Sequence, residues 1–266
     1  MKPILENSLK GKRGLVTGAG SGIGKASALV MARAGAKLAL VGRTPDDLAA
    51  TLREIGGEES GHFTIVADVS DEEDMIATYE AVSAQWNSLD TVVANAGING
   101  VWAPLDKLLV SEWDDTLAIN LRGTFLTVKL ALPLLKKQGG SVAIVSSING
   151  NRIFSNSGAT AYACSKAAQV AFAKMISLEL AMDHIRVNVV CPGAIETNIH
   201  DSMERRSMEG LHLPVEFPEG DVPLNGGRPG AAADVAHVIW FLASDLSSHV
   251  SGTEIYVDGA QSLLQG

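Results

Sequence analysis

Gly14-Leu15-Val16-Thr17-Gly18-Ala19-Gly20-Ser21-Gly22-Ile23-Gly24 is the stretch that decides the fold of this chain. Its first four residues read as a buried strand. The glycine cluster reads as a tight turn, and the residues from Ile23 to Ala34 read as a helix. Glycines at such a turn let backbone N–H groups close on a phosphate at a helix N-terminus, where the helix dipole favours negative charge. Glycine-rich turns are common and often purely structural. Here the order strand, turn, helix is right, although the spacing Thr-Gly-x-x-x-Gly-x-Gly differs from the commoner dinucleotide fingerprint.

The same rhythm continues outward. Further strand candidates are 37–41, 63–66, 91–94, 141–146, 186–190 and 254–257, several of them apolar and β-branched with little polar alternation. Strands buried on both faces look like this. Helix candidates lie at 45–55, 72–85, 112–137, 160–182 and 232–243. Alternating strands and helices predict a seven-stranded parallel sheet with helices on both faces and right-handed crossovers, a doubly wound Rossmann fold. No linker, repeat or low-complexity tract interrupts it, so residues 1–266 form one domain. Residues 196–230 break the rhythm. Four prolines and scattered apolar residues (Met203, Met208, Leu211, Leu213, Phe217) suggest an irregular lid without a clean strand.

Composition narrows the function. A net charge of -9 argues against a general nucleic-acid binder. Cys164 and Cys191 provide no disulfide framework and fit a reduced compartment, with Cys164 read as a small packing residue. No h-region opens the chain and no apolar run approaches the roughly 20 residues of a membrane span. The expectation is a soluble cytoplasmic protein with no membrane partner. Six histidines show no paired ligand spacing, so no metal is expected.

The chemistry concentrates at Tyr162 and Lys166. Four residues apart, they share one helix face. A cation one turn away favours phenolate and should pull the tyrosine pKa down toward neutrality. This pair, with the Thr17–Gly24 turn, Asn95-Ala96-Gly97, Asn120 and Ser147 in order, resembles the short-chain dehydrogenase/reductase family over essentially the whole chain. Asp68, Pro192-Gly193 and Val257-Asp258-Gly259 extend the match. The resemblance implies an NAD(P)(H)-dependent oxidoreductase interconverting a secondary alcohol and a ketone, EC 1.1.1.-. Tyr162 is then the general acid/base, Lys166 lowers its pKa and holds the nicotinamide ribose, and Ser147 holds the substrate oxygen. Asn120 binds a water leading from Lys166 to solvent. The loop from Asn151 to Gly158 looks about two residues longer than usual, which leaves Ser146 and Ser155 as alternatives to Ser147.

The resemblance also implies the cofactor contacts. Gly18, Ser21, Gly22, Ile23 and Gly24 would cradle the phosphates. Asp68 and Val69 would meet the adenine, and Asn95, Ala96 and Gly97 its ribose. Pro192, Gly193, Ile195 and Thr197 would wrap the nicotinamide beside Tyr162 and Lys166. An acid at the end of the second strand would favour NAD(H); Gly42 stands there, followed by Arg43-Thr44. Arg43 can hold a 2′-phosphate with its charged fork, so NADP(H) is favoured over NAD(H). Trp102, Asn149 and Phe154, with Ser147, are expected to line the substrate site, with Ile98, Asn99, Arg152, Asn156, Glu196 and His200 as further candidates.

Three extensions follow. Many relatives reduce 3-oxoacyl groups on acyl carrier protein. Leu178 stands where those enzymes carry a docking arginine, which lowers that reading. A catalytically inactive cofactor-binding sensor is the other alternative, disfavoured by the intact Asn-Ser-Tyr-Lys set. Family members commonly form tetramers through the two long helices and the last strand, so a homotetramer is expected.

Overall fold

A computed structural model of the chain describes residues 6–197, 199, 202–211 and 221–264. The strands are β1 (Arg13–Thr17), β2 (Lys37–Gly42), β3 (Phe63–Val66), β4 (Thr91–Ala94), β5 (Gly100–Trp102), β6 (Gly140–Val145), β7 (Ile185–Pro192), β8 (Ile195–Glu196), β9 (Met203–Arg205), β10 (Gly230–Ala231) and β11 (Glu254–Val257). The helices are α1 (Gly22–Arg33), α2 (Pro45–Glu54), α3 (Glu72–Gln85), α4 (Val110–Leu117), α5 (Gly123–Leu135), α6 (Thr160–Ala181) and α7 (Ala232–Ala243). The seven predicted strands form one parallel sheet in the order β11-β7-β6-β4-β1-β2-β3. Winding reverses between β1 and β4, which opens a crevice beyond their C-terminal ends, the usual ligand position in such sheets.

Alternation along each strand builds two cores. Leu15, Val41, Val92, Ile144 and Val189 pack on one face. Val16, Leu40, Val93, Val145 and Val190 pack on the other. Charged side chains (Arg13, Lys37, Arg186, Glu254) are confined to the strand ends, because an unpaired charge in mid-strand would be costly to bury. This explains why the strands read as continuous apolar runs.

Two features depart from the sequence expectation. The single helix expected at 112–137 is broken. A π-helical turn, Ala118–Arg122, joins α4 to α5 and carries Asn120. The widened turn is stabilised from outside, since Gln169 Nε2 donates to the Asn120 carbonyl at 2.7 Å. From Val110 to Leu135 the joined helix is apolar and long enough to cross a membrane by composition, more than the sequence reading allowed. Leu126, Val128, Ala131, Leu134 and Leu135 of it lie in the core.

The insert also contains strands. β9 pairs in parallel with β5, aligning Trp102 with Arg205, and β8 pairs with β10. Three-residue strands separated by a hundred positions leave no periodic signal. His200, Leu213, Pro214, Phe217 and Pro218 lie outside the described residues.

Candidate active site

α6 and the end of β6 build the inner wall of the crevice. Tyr162, Ser165, Lys166 and Gln169 all fall on the buried face of α6, as their spacing dictates. Lys166 Nζ donates to the Val145 carbonyl at 3.0 Å and lies 5.6 Å from the Tyr162 ring centroid. Tyr162 and Ser147 line the same cavity wall, and the Ser147 hydroxyl acts on the phenol. Ser146 is engaged elsewhere, because its hydroxyl donates to the Lys166 carbonyl at 2.8 Å. Of the adjacent serines, Ser147 is therefore the one beside the phenol. Asn120 lies behind them. Its Oδ1 accepts from the Ile98 N–H at 2.8 Å. Its Nδ2 donates to the Ile98 carbonyl at 2.9 Å and to Ser165 Oγ at 3.0 Å. The carboxamide thus ties the loop after β4 to α6.

Electrostatics here differ from the sequence expectation. Burial pushes the Tyr162 phenol above its ordinary value, and the neighbouring Ser147 hydroxyl only partly opposes it. Lys166 does not pull the phenol down. It is aimed at a backbone carbonyl, and burial lowers its own pKa to about 8. Desolvation of two neighbouring groups outweighs their mutual influence. Burial pushes the Cys191 thiol up to about 12. Cys164, expected to be a packing residue, is exposed on α6.

Two cavities follow the crevice, of about 460 and 180 Å³, and Gly97 lines both. The larger holds Ser147, Tyr162 and Lys166, together with Ile23, Asn95, Pro192, Gly193, Ile195 and Thr197. The smaller is lined by Gly18, Ser21, Arg43, Asp68, Val69 and Ala96. Between the two, the backbone is shaped for a phosphate-bearing group. Gly18 has φ +65°, and a side chain at Gly24 would meet the Gly18 carbonyl at 2.1 Å. The first turn of α1 carries no acidic residue, and Ser21 makes no side-chain cap. The N–H groups there are open to an anion. A dinucleotide fits this arrangement, its phosphates at the turn and its two ends in the two cavities. Gly22 and Gly24 line neither cavity; Gly22 packs against Thr197 and Gly24 against Gly18.

At the smaller cavity Arg43 Nη1 lies 3.6 Å from Asp68 Oδ2. Burial alone would raise the Asp68 pKa, but bonds from the Ser70 N–H and hydroxyl, with the Arg43 charge, hold it below its usual value. Lys25 is paired with Glu54 at 2.7 Å. Asp47, an acid the linear reading did not place here, also lines this cavity.

At the substrate end, Trp102 and Asn149 line the larger cavity as expected, and so do the further candidates Asn99 and Asn156. Phe154 does not. It is 73% exposed, because the loop after β6 turns it outward. Arg152 is stacked 3.5 Å from the Tyr256 ring centroid and donates to Ser262, away from the cavity. Glu196 is exposed and does not line it. Sequence reasoning missed Met203, Arg205 and Gln261. Gln261 Oε1 accepts from the Ala194 N–H at 2.7 Å and steadies the Pro192–Thr197 loop. Nothing in its flanks signals this, because the contact spans 67 positions. Among the described residues no group of three or more His, Cys, Asp or Glu is placed to hold a metal ion.

A family model described as enoyl-(acyl carrier protein) reductase matches residues 18–260. The chain is 36% identical over 252 residues to the 3-oxoacyl-[acyl-carrier-protein] reductase of Thermotoga maritima, covering 94% of this chain and 98% of that one. The protein belongs to the short-chain dehydrogenases/reductases. This short-chain dehydrogenase/reductase is also 35% identical over 253 residues to the levodione reductase of Leifsonia aquatica, covering 93% of each chain. Among solved structures it superposes on a 3-ketoacyl-ACP reductase from Sinorhizobium meliloti 1021 with a TM-score of 0.88 at 50% identity, covering 95% of this chain and 99% of that one. It is accordingly an oxidoreductase that interconverts an alcohol and a ketone with a nicotinamide cofactor.

Proposed function

We propose that Tyr162 is the proton donor in carbonyl reduction and the acceptor in alcohol oxidation, acting on a small secondary alcohol or ketone with NADP(H). The observation that carries this is that Ser147, Tyr162 and Lys166 share the wall of the larger cavity, with the Lys166 ammonium 5.6 Å from the Tyr162 ring centroid. The bound cofactor supplies or accepts the hydride. Ser147 holds the substrate oxygen by a second hydrogen bond, which counts most as negative charge develops there. Lys166, still protonated at neutral pH, holds the nicotinamide ribose and places positive charge behind the phenol. Asn120 fixes the helix that carries both. Arg43, exposed at the rim of the smaller cavity, gives NADP(H) its preference through the 2′-phosphate, releasing Asp68 to the adenine. Segment 196–230 is read as the lid. A soluble cytoplasmic homotetramer fits the apolar surface formed by Leu117, Leu121, Phe125 and Phe172.

Purified protein titrated with NADPH and NADH, then assayed on ketone, sugar and polyol panels, tests this. Turnover should fall by roughly 10²–10⁴ in Tyr162→Phe. Cofactor binding with no turnover of any compound would favour the inactive-sensor reading. Arg43→Ala should weaken NADPH alone; equal losses for both cofactors would remove Arg43 from the specificity argument. The carrier-protein reading has the names of two relatives behind it. Leu178, 81% exposed on α6, offers that acidic partner no cation. Turnover confined to acyl thioesters would reinstate it.

A further inference from the structure

Only two of the described side chains that line the larger cavity are Lys or Arg, and no Asp or Glu is among them. In a chain of net charge -9, the described part of this wall is unusually free of acids. Lys166 stands at the inner end beside Tyr162. Arg205 stands on the outer wall, where the parallel register of β9 with β5 sets it beside Trp102. Its guanidinium carbon lies 5.3 Å from the Trp102 ring centroid. Among the described residues no carboxylate pairs with it, and the adjacent Glu204 does not line the cavity.

The next residue shows what a structural arginine looks like here. Arg206 forks onto both carboxylate oxygens of Glu112, Nη2 at 2.7 Å from Oε2, and donates to the Lys107 carbonyl at 2.7 Å. Its backbone N–H donates to the Trp102 carbonyl at 2.9 Å. These bonds pin β9 to the start of α4 and hold Arg205 over the cavity mouth. One arginine anchors the segment, and the other has no carboxylate partner among the described residues. Between Arg205 and Tyr162 the wall is mixed: Ile153 and Met203 are apolar, while Asn156 donates to Asn149 at 3.2 Å.

We propose that Arg205 is the anion-recognising residue of this enzyme. Its substrate is a ketone or secondary alcohol that carries a carboxylate at the end remote from the reacting carbon, joined by a short carbon chain. This rests on the reductase reading of the same site. A guanidinium stacked on an aromatic face keeps its N–H edge for a planar two-oxygen acceptor. A carboxylate matches the single charge, whereas a phosphate near its second ionisation carries closer to two.

Enzyme saturated with NADPH, titrated with 4-oxopentanoate and 5-oxohexanoate and with their methyl esters, tests this through quenching of cofactor fluorescence and through rates. The acids should bind at least about tenfold tighter than the esters. Arg205→Met, which keeps an apolar stem on Trp102, should erase that difference by weakening the acids alone, and Arg205→Lys should restore part of it. Equal binding of acid and ester, absence of binding by either, or equal losses in Arg205→Met overturns the proposal. Tighter binding of dihydroxyacetone phosphate than of either acid overturns the carboxylate assignment. Selective acid binding without hydride transfer would overturn the reductase reading, and the substrate assignment with it, while the anion-recognising role of Arg205 stands; equal turnover of acids and esters would uphold the reductase reading and overturn that role.

Discussion

Tyr162 and Lys166 on the inner wall face the same cavity as Trp102 and Arg205 on the outer wall, but the two pairs rest on different supports. The inner pair sits on a 22-residue helix whose buried face packs on the sheet, and Asn120, Ser146 and Gln169 brace it with bonds inside the core. The outer pair sits on two three-residue strands paired with each other, with β9 tied to α4 by the Arg206–Glu112 ion pair. The inner wall resists change because Asn120, Ser146 and the Gln169 amide nitrogen each have a buried partner, and removing one orphans the other. The outer wall depends on few contacts, so substrate selectivity can change there without disturbing the chemistry.

The largest expected effect separates two adjacent serines on the inner wall. Ser147→Ala should lower kcat by roughly 10²–10⁴, as loss of a donor to the reacting oxygen does. Ser146→Ala should leave kcat near wild type and reduce stability by about 1 kcal/mol, through loss of its bond to the Lys166 carbonyl. Steady-state rates and urea midpoints on both variants decide the matter. The reverse pattern would move the assignment to Ser146.

Lys166 tests whether the inner wall trades stability for charge. Its folded pKa of about 8 lies below the ordinary 10.5, so the unfolded chain holds this proton more tightly. The penalty is therefore full below pH about 8 and fades as pH rises toward 10.5. Lys166→Met should lose activity yet gain about 3 kcal/mol at pH 7, less the bond to Val145. Its advantage over wild type should shrink between pH 8 and 10.5. A variant less stable at pH 7 would show that the Val145 bond outweighs desolvation.

The smallest effect belongs to the outer wall. Glu112→Gln frees Arg206 and loosens β9. KM for the substrate should rise several-fold while kcat and the melting temperature stay close to wild type. A fall in kcat with KM unchanged would mean that the two walls are mechanically coupled, which would break the contrast.

Much of this molecule was legible in its sequence because the signals are local. Each strand of the sheet is a short apolar run, and each glycine of the first turn answers to backbone geometry within a few residues. Tyr162 and Lys166 share a face through helical spacing alone, and Ser147 follows from its place at a strand end. The misreadings share a different cause. Phe154 looked like a pocket residue, but its loop turns it to solvent. The expected lowering of the Tyr162 pKa ignored how completely the site is buried.

By itself, then, the order of residues determined the doubly wound sheet, the glycine turn and the shared face of Tyr162 and Lys166, all of which depend on periodicity within one or two turns of chain, while Asn120 and Ser147 were placed in the site by family resemblance. Only the tertiary structure decided that Asn120 occupies a π turn, that Asp47 and Gln261 border the crevice, and that Arg205 faces the cavity while Arg206 is held by Glu112. Each of those depends on contacts between segments distant in sequence. That Arg206 and not its neighbour meets Glu112 is settled by packing, not by the identity of either one.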